Sequence, residues 1–435
     1  MKIKAVSRII LTLLLIGMLT LAFNIQPVKS DWTWTETIYI RADGSIDPDT
    51  APISSVDNIT YTFTDNIYDE IVVERDNIIV DGAGYTVLGT GAFLYTKGID
   101  LAGRKNVTLR NMSIEGFYYG IYLEFSSNNS ILGNNKTNNE YGIRLDHSTN
   151  NSISRNNITA NNDGGIWLFY SSNNCVSGND ITENNWEGIL LAYSFDNSIS
   201  GNKVTNNYDG IILADSSINS ISGNNITENK GAGIPIVSSS SNIIFGNDLV
   251  ANRDGIHLLD SSDNLIYHNN FLNNTRQVYD LAWTNPGIQP SRNTWDWGYP
   301  SGGNYWSDYF GVDKKSGTNQ DRHGSDGIGD TPYVIDENKQ DNYPLIRPFP
   351  SPLDSTRELN ETIKTWSLPK GTENKLTSKL YNAIHLLIME NENGAVQKLM
   401  NFIDQVDKLR GNKLTNEQAD QLISEAQRII DLIKG

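Results

Sequence analysis

From residue 98 to residue 274 the apolar and polar positions repeat one phrase: Gly-Ile-x-Leu, a serine-rich bend, then Asn-x-Ile-x-Gly-Asn. The glycines that open it are Gly98, Gly120, Gly142, Gly165, Gly188, Gly210, Gly233 and Gly255, spaced 22 or 23 residues apart. The asparagines of the second half keep the same beat at Asn106, Asn129, Asn151, Asn174, Asn197, Asn219, Asn242 and Asn264. Two markers in step over so many turns define an array of stacking units. Within one unit the pieces are Gly210-Ile211-Ile212-Leu213, Asn219-Ser220-Ile221-Ser222-Gly223-Asn224 and Asn225-Ile226-Thr227. Each is short, β-branched and alternates with period two. Ile211, Leu213, Ile221 and Ile226 therefore point to one side, and Ile212 to the other.

No piece is long enough for an amphipathic helix, which removes the helical solenoids. Three short strands per turn around an apolar interior make a parallel β-helix, an all-β fold with coils about 4.8 Å apart. That spacing gives the asparagines a task. Asn134, Asn156, Asn179, Asn202, Asn224, Asn247 and Asn269 recur at one bend. There each side chain can bond the next and satisfy the backbone of the turn.

The beat fails at both ends. Residues 31–76 carry turn signals such as Asp43-Gly44 and Asp47-Pro48 and read as an N-terminal cap, with coils over 77–275. Residues 276–350 are rich in aromatics (Trp283, Trp295, Trp297, Tyr299, Tyr305, Trp306, Tyr309, Phe310) and read as a plug over the last coil. Residues 351–372 read as a linker. Over 373–435 the period changes to 3.6. Leu376, Leu380, Ile384 and Leu387 mark one helix, and Val396, Leu399, Phe402, Ile403 and Val406 a second. Thr415 and Gln418 form a capping box that opens a third, with Leu422, Ala426, Ile429 and Ile433 on its apolar face.

Residues 1–30 have the layout of an export signal: Lys2, Lys4 and Arg8, an apolar run over 9–23, then Val28-Lys29-Ser30. No later stretch is apolar enough to span a membrane, so an extracellular or cell-surface location is expected. A formal net charge of −17 argues against nucleic acid as partner. Cys175 is the single cysteine, so no intrachain disulfide can form.

The repeats resemble the β-helix family named after NosD, the nitrous oxide reductase accessory protein, also grouped with domains of carbohydrate-binding proteins and sugar hydrolases. The resemblance covers about residues 69–350. It includes Tyr299-Pro300-Ser301-Gly302-Gly303-Asn304-Tyr305-Trp306-Ser307-Asp308-Tyr309 and Gly327-Ile328-Gly329-Asp330-Thr331-Pro332-Tyr333. It implies a right-handed coil. The tail, with Asn401-Phe402-Ile403 and the apolar pattern over 419–430, looks like a FIMAH domain, a module at the ends of exported enzymes and surface proteins.

The family name raises copper, which wants Met, His or Cys ligands. The solenoid offers only Met112, Cys175, His147, His257 and His268, and copper delivery is the minor reading. Acids recur just before the Gly-Ile strand at Glu140, Asp163, Glu187, Asp209 and Asp254. Glu187 and Asp209 fall on neighbouring coils, as a pair of catalytic carboxyls in a polysaccharide hydrolase, lyase or epimerase would, with Asp163 beside them. The outward residues of Gly-Ile-x-Leu include Tyr122, Arg144 and Trp167, flanked by Tyr141, Trp186 and Tyr208. Aromatics facing water on a rigid sheet suit stacking on sugar rings, so a polysaccharide or envelope glycan is the expected partner. Asp321, Asp326 and Asp330 cluster with Gly327 and Gly329 and could hold calcium, the one cofactor the sequence suggests.

Overall fold

A computed structural model of the chain describes residues 37–91, 95–285, 287–350, 352–389 and 391–434. The export signal expected over residues 1–30 lies outside them. The repeats coil into a right-handed parallel β-helix of about ten turns with three sheets of twelve, eleven and ten strands. Register is kept from coil to coil. In the first sheet Ile121, Ile143, Ile166, Ile189 and Ile211 stand one above another. In the second, Ile131, Ile153, Val176, Ile199, Ile221, Ile244 and Ile266 do the same. All of these side chains are fully buried, so the core is a set of apolar columns along the coil axis. The predicted alternation holds: Ile211 is buried and Ile212 sits on the outer face, half-exposed.

One core column contains a charge-bearing residue. Lys136 stands between Ile114 and Ile158 in the third sheet and is fully buried. Its Nζ donates to Asn156 Oδ1 at 2.7 Å, and burial drives its pKa well below the usual lysine value. The cause is that a cation there would lack a counter-charge.

The bends are built from side-chain ladders. Asn197 shows the rule: its N–H and its Nδ2 both donate to Asn219 Oδ1, at 2.9 and 3.1 Å, and Nδ2 also donates to Ser171 O at 2.9 Å. The ladder through Asn156, Asn179 and Asn202 repeats it. A third asparagine ladder, Asn139 through Asn161, Asn184, Asn207, Asn229 and Asn252 to Asn274, closes the third bend. A serine ladder runs beside them through Ser126, Ser148, Ser171, Ser194 and Ser216. The recurrent glycine has a different cause from the turns: a Cβ on Gly210 would lie 2.3 Å from the carbonyl oxygen of Gly233, so the backbones of successive coils approach too closely for any side chain.

Coiling starts earlier than the repeat beat suggests. Ile38–Ile40 pairs in parallel with Ile71–Val73, and Thr60–Phe63 with Ile79–Asp81, inside the region expected to be only a cap. Hairpin insertions lengthen these coils and hide the period. They also close the open edges, with Ile46–Asp47 and Ile53–Ser54 laid antiparallel on the first strands. At the other end the aromatic segment plugs the last coil as expected. Asn293, Asn304 and Ser291 supply the terminal rungs of three ladders. Trp306 stacks on Phe271 at 4.2 Å, and Tyr333 on Trp306 at 4.2 Å. Asp341, fully buried, accepts from Asn304 N and from Trp306 Nε1 at 2.9 Å, and burial pushes its carboxyl up to about 7.

The expected linker is not one. Pro352–Thr365 forms a helix, α1, followed by α2 (Lys370–Ile388), α3 (Glu392–Leu409) and α4 (Asn416–Lys434), giving four helices instead of three. The sequence hid α1 because its buried face pairs Leu359 and Ile363 with the polar Ser355, Thr356 and Asn360. The four helices share one core that includes Leu376, Leu399, Phe402, Leu422 and Ile429. The predicted capping box is present: Thr415 N donates to Gln418 Oε1 at 3.0 Å, and Gln418 N to Thr415 Oγ1 at 3.1 Å.

Candidate functional site

Between each asparagine of the third ladder and the glycine that opens the next strand lie two or three residues of variable identity. This coil entry carries Glu140, Asp163, Trp186-Glu187, Tyr208-Asp209 and Arg253-Asp254. Because the sheet is parallel and in register, Glu187 stands opposite Asp209, one strand spacing of about 4.8 Å away. Glu187 is only 7% exposed. Burial first, then the neighbouring charge of Asp163 and, to a lesser degree, that of Asp209, pushes its carboxyl up to about 7. Its Oε1 and the indole Nε1 of Trp167 are both buried without an aligned hydrogen-bond partner. The two atoms flank Gly164, where a Cβ would lie 2.4 Å from the indole nitrogen and 3.1 Å from the carboxyl oxygen. Only glycine fits beneath them.

Asp209 is shifted in the same direction. Burial raises its pKa, but Ala232 N donates to Oδ1 at 2.6 Å, and Arg253 and His257 favour its charge. Further along the row, fully buried Asp254 receives Arg276 Nη2 at 2.8 Å and Arg253 Nε at 3.3 Å. The coil entry thus runs from a carboxyl held near neutrality to a carboxylate clamped by two guanidinium groups.

The aromatic expectation is half corrected. Trp186 and Tyr208 are 57% and 41% exposed, with ring centroids 5.6 Å apart and planes tilted by 51°, directly beside Glu187 and Asp209. Tyr122 and Tyr141 do not face water. They are 8% and 7% exposed, packed with Tyr119, Tyr118 and Trp167 into a separate cluster. Tyr141 is covered by Trp167 of the next strand, and Tyr122 by Tyr119 of its own strand and by Lys97 and Asp146 of the neighbouring coils. Tyr119 stacks on Tyr122 at 5.0 Å, and Tyr141 meets Trp167 at 4.5 Å. Arg144 lies within 6 Å of the rings of Tyr119, Tyr141, Trp167 and Phe169 and donates to Asp146 at 3.0 Å. Tyr122 in turn donates its hydroxyl to Asp146 Oδ2 at 3.0 Å. Tyr122, Tyr141 and Arg144 therefore form a self-satisfied patch rather than an open platform.

A second aromatic row escaped the sequence reading. Phe125, His147, Tyr170 and Tyr193 stack face to face at 5.0, 5.1 and 4.9 Å. Each falls five residues after its Gly-Ile glycine, the offset that would have revealed it. Phe125, Tyr170 and Tyr193 are 65%, 46% and 41% exposed, so this row also meets solvent, although its ring faces are stacked on one another.

The calcium candidates serve turns of the plug. Asp330 Oδ1 accepts from Lys314 N and Lys315 N, and Asp326 accepts from Gly317 N and Ile328 N. Asp321 is exposed. Among the described residues no three His, Cys, Asp or Glu side chains are gathered as metal ligands would be. The copper candidates are dispersed. His147 belongs to the corner stack, His257 lies on the outer face of the first sheet, and His268 stacks on Phe349 at 4.1 Å. Met112 is buried in the core, and Cys175 is half-buried on the second sheet.

Comparison with known families bears out the resemblances. Residues 161–311 match the family described as periplasmic copper-binding protein (NosD), residues 55–202 match the right-handed β-helix region, and residues 353–431 match the FIMAH domain. No curated protein matches the chain. Among solved structures, the periplasmic alginate epimerase AlgG is 15% identical with a TM-score of 0.39, over 56% of this chain and 80% of that one. The A-module of the Azotobacter vinelandii mannuronan C-5 epimerase AlgE6 is 13% identical with a TM-score of 0.41, over 57% and 75%. A tailspike protein of the E. coli bacteriophage HK620 in complex with a pentasaccharide is 12% identical with a TM-score of 0.41, over 57% and 55%.

Proposed function

We propose that the chain is an exported polysaccharide-binding β-helix protein that holds its glycan along the coil entry around Trp186, Glu187, Tyr208 and Asp209. One observation carries the reading: two exposed aromatic rings on adjacent coils stand beside two carboxyl groups. Sugar rings offer apolar faces that stack on aromatics and hydroxyls that donate to carboxyl oxygens. A rigid in-register sheet fixes the spacing of both kinds of contact, so little ordering is needed on binding. Export rests on the basic and apolar layout of residues 1–30 and on the match to a family described as periplasmic. Among the described residues no helix is long and apolar enough to cross a membrane. Copper delivery is the weaker reading, because the histidines, Met112 and Cys175 sit on separate faces.

The test is affinity electrophoresis of the intact mature chain through gels cast with single polysaccharides, from plant walls and from microbial envelopes. Retardation in at least one gel is expected. Unchanged mobility in all of them would leave the solenoid a structural element of the envelope.

A further inference from the structure

We propose that the bound glycan is an acidic polysaccharide, and that Arg253 and Arg276, at the plug end of the coil entry, bind its carboxylate or sulfate groups. The inference rests on the binding site proposed above and names the chemistry of its ligand. Its basis is a set of side-chain contacts around Asp254. That residue is fully buried, and its carboxylate accepts from Arg253 Nε at 3.3 Å and from Arg276 Nη2 at 2.8 Å. The guanidinium carbon of Arg276 also lies 3.9 Å from the ring centre of Tyr279. A buried carboxylate needs one partner charge, so the second guanidinium is surplus. Both arginines are exposed. Among the described residues, the two Nη groups of Arg253 and Nη1 of Arg276 have no hydrogen-bond partner. Lys230, on the preceding coil, is exposed as well and joins no ion pair among the described residues.

These donors lie in line with the exposed rings. Gly231 N donates to Tyr208 O at 2.5 Å, and Arg253 N to Gly231 O at 3.0 Å, so Tyr208, Gly231 and Arg253 are successive rungs of one edge. Arg253 therefore follows Tyr208 by about 10 Å along the coil axis. Gly231, between them, carries no side chain to part the ring from the guanidinium groups.

The charge balance of this end favours an anion. Lys230, Arg253 and Arg276 outnumber the acids of the same rungs, Asp209 and Asp254, and Asp254 is wholly inside. A planar guanidinium fork matches the paired oxygens of a carboxylate or a sulfate. With Arg253 and Arg276 held on Asp254, and Arg276 also on the Tyr279 ring, less side-chain freedom is lost when a ligand binds. In a chain of net charge −17 an exposed cationic edge also directs a polyanion to one place, because the acidic surface elsewhere repels it.

The experiment titrates the intact chain calorimetrically with two matched pairs of polymers. One pair is polygalacturonate and the same polymer with its carboxyls reduced to alcohols; the other is dextran sulfate and dextran. In at least one pair the charged member should bind roughly tenfold more tightly or better. Raising salt from about 0.05 M to about 0.5 M should weaken that member several-fold and leave neutral polymers within about twofold. Arg253→Gln and Arg276→Gln each leave one guanidinium on Asp254, and urea midpoints check that the fold is kept. Each should weaken the charged member by roughly fivefold or more and leave neutral polymers within about twofold. Lys230→Gln touches no buried group and serves where either arginine variant fails to fold, with a loss of roughly threefold expected. Retention of neutral polysaccharides alone, or equal affinity within both pairs, overturns the acidic ligand and leaves glycan binding standing. Unchanged binding of the charged member in every folded variant also overturns it. Retention of no polysaccharide at all removes the reading beneath.

Discussion

Ile211 and Ile212 are neighbours in the chain and occupy opposite environments, one inside the apolar column and the other on the outer face. An aspartate at position 211 would place an unpaired carboxylate in the core, at a cost of several kcal/mol, roughly 3 or more. At position 212 the same change should cost about 1 kcal/mol or less. Urea midpoints of the two variants measure this, and equal losses would contradict the register. Such alternation was legible because period two is a property of the strand itself. The burial of Tyr122 and Tyr141 was not, because it depends on how side chains of neighbouring coils, Lys97 over Tyr122 and Trp167 against Tyr141, close over the rings, which no single-strand pattern reports. Glu187 gives a second test at this scale. Its carboxyl titrates near 7 in the fold and near 4.5 when unfolded, so the folded chain binds the extra proton between those values. Stability contributed by the protonated form is complete below about pH 4.5 and lost as pH rises toward 7, on the order of 3 kcal/mol. Glu187→Gln cannot lose that proton. Its stability relative to wild type should therefore improve from pH 5 to pH 8, read as a difference in urea midpoints, and a constant difference would contradict the assignment.

The asparagine ladders set the strength of the bends. In Asn179→Ala the N–H and Nδ2 of Asn156 lose their acceptor, and Ile153 O loses its donor. Buried groups left unpaired cost about 1–3 kcal/mol each, so a total of roughly 2–4 kcal/mol is expected, against less than about 1 for the exposed Asn157→Ala. Equilibrium unfolding of the two variants checks the difference. Two of the ladders could be read from their beat. The third, from Asn139 to Asn274, follows the same beat but is trailed by a coil entry of variable length that obscures it. Helix α1 was missed for a related reason: three of the five buried residues described on it are Ser, Thr and Asn, which carry no hydrophobic period. In the plug, the backbone amides already occupy Asp326 and Asp330. The melting temperature of the chain should accordingly be indifferent to a chelator. A fall of several degrees, restored by calcium, would instead assign the metal expected from the sequence.

For the whole molecule, the solenoid, its plug and its helical tail were legible because stacking repeats write the same constraint many times over. The functional surface was legible only in outline. The acids at the coil entry and the pair Trp186 and Tyr208 were identifiable by position, while Tyr122, Tyr141 and Arg144 proved to be occupied with one another. The proposed site is small: two exposed rings and two carboxyls on adjacent coils. The central claim is that a glycan lies on those rings, and calorimetric titration of the intact chain with a retained polysaccharide tests it most directly. Each ring contact should be worth about 0.5–1.5 kcal/mol. The double variant Trp186→Ala/Tyr208→Ala should then weaken binding by roughly tenfold or more, while Tyr170→Ala/Tyr193→Ala on the corner stack leaves it within about twofold. Equal affinity of the coil-entry variant and wild type, or a loss confined to the corner-stack variant, would contradict the account.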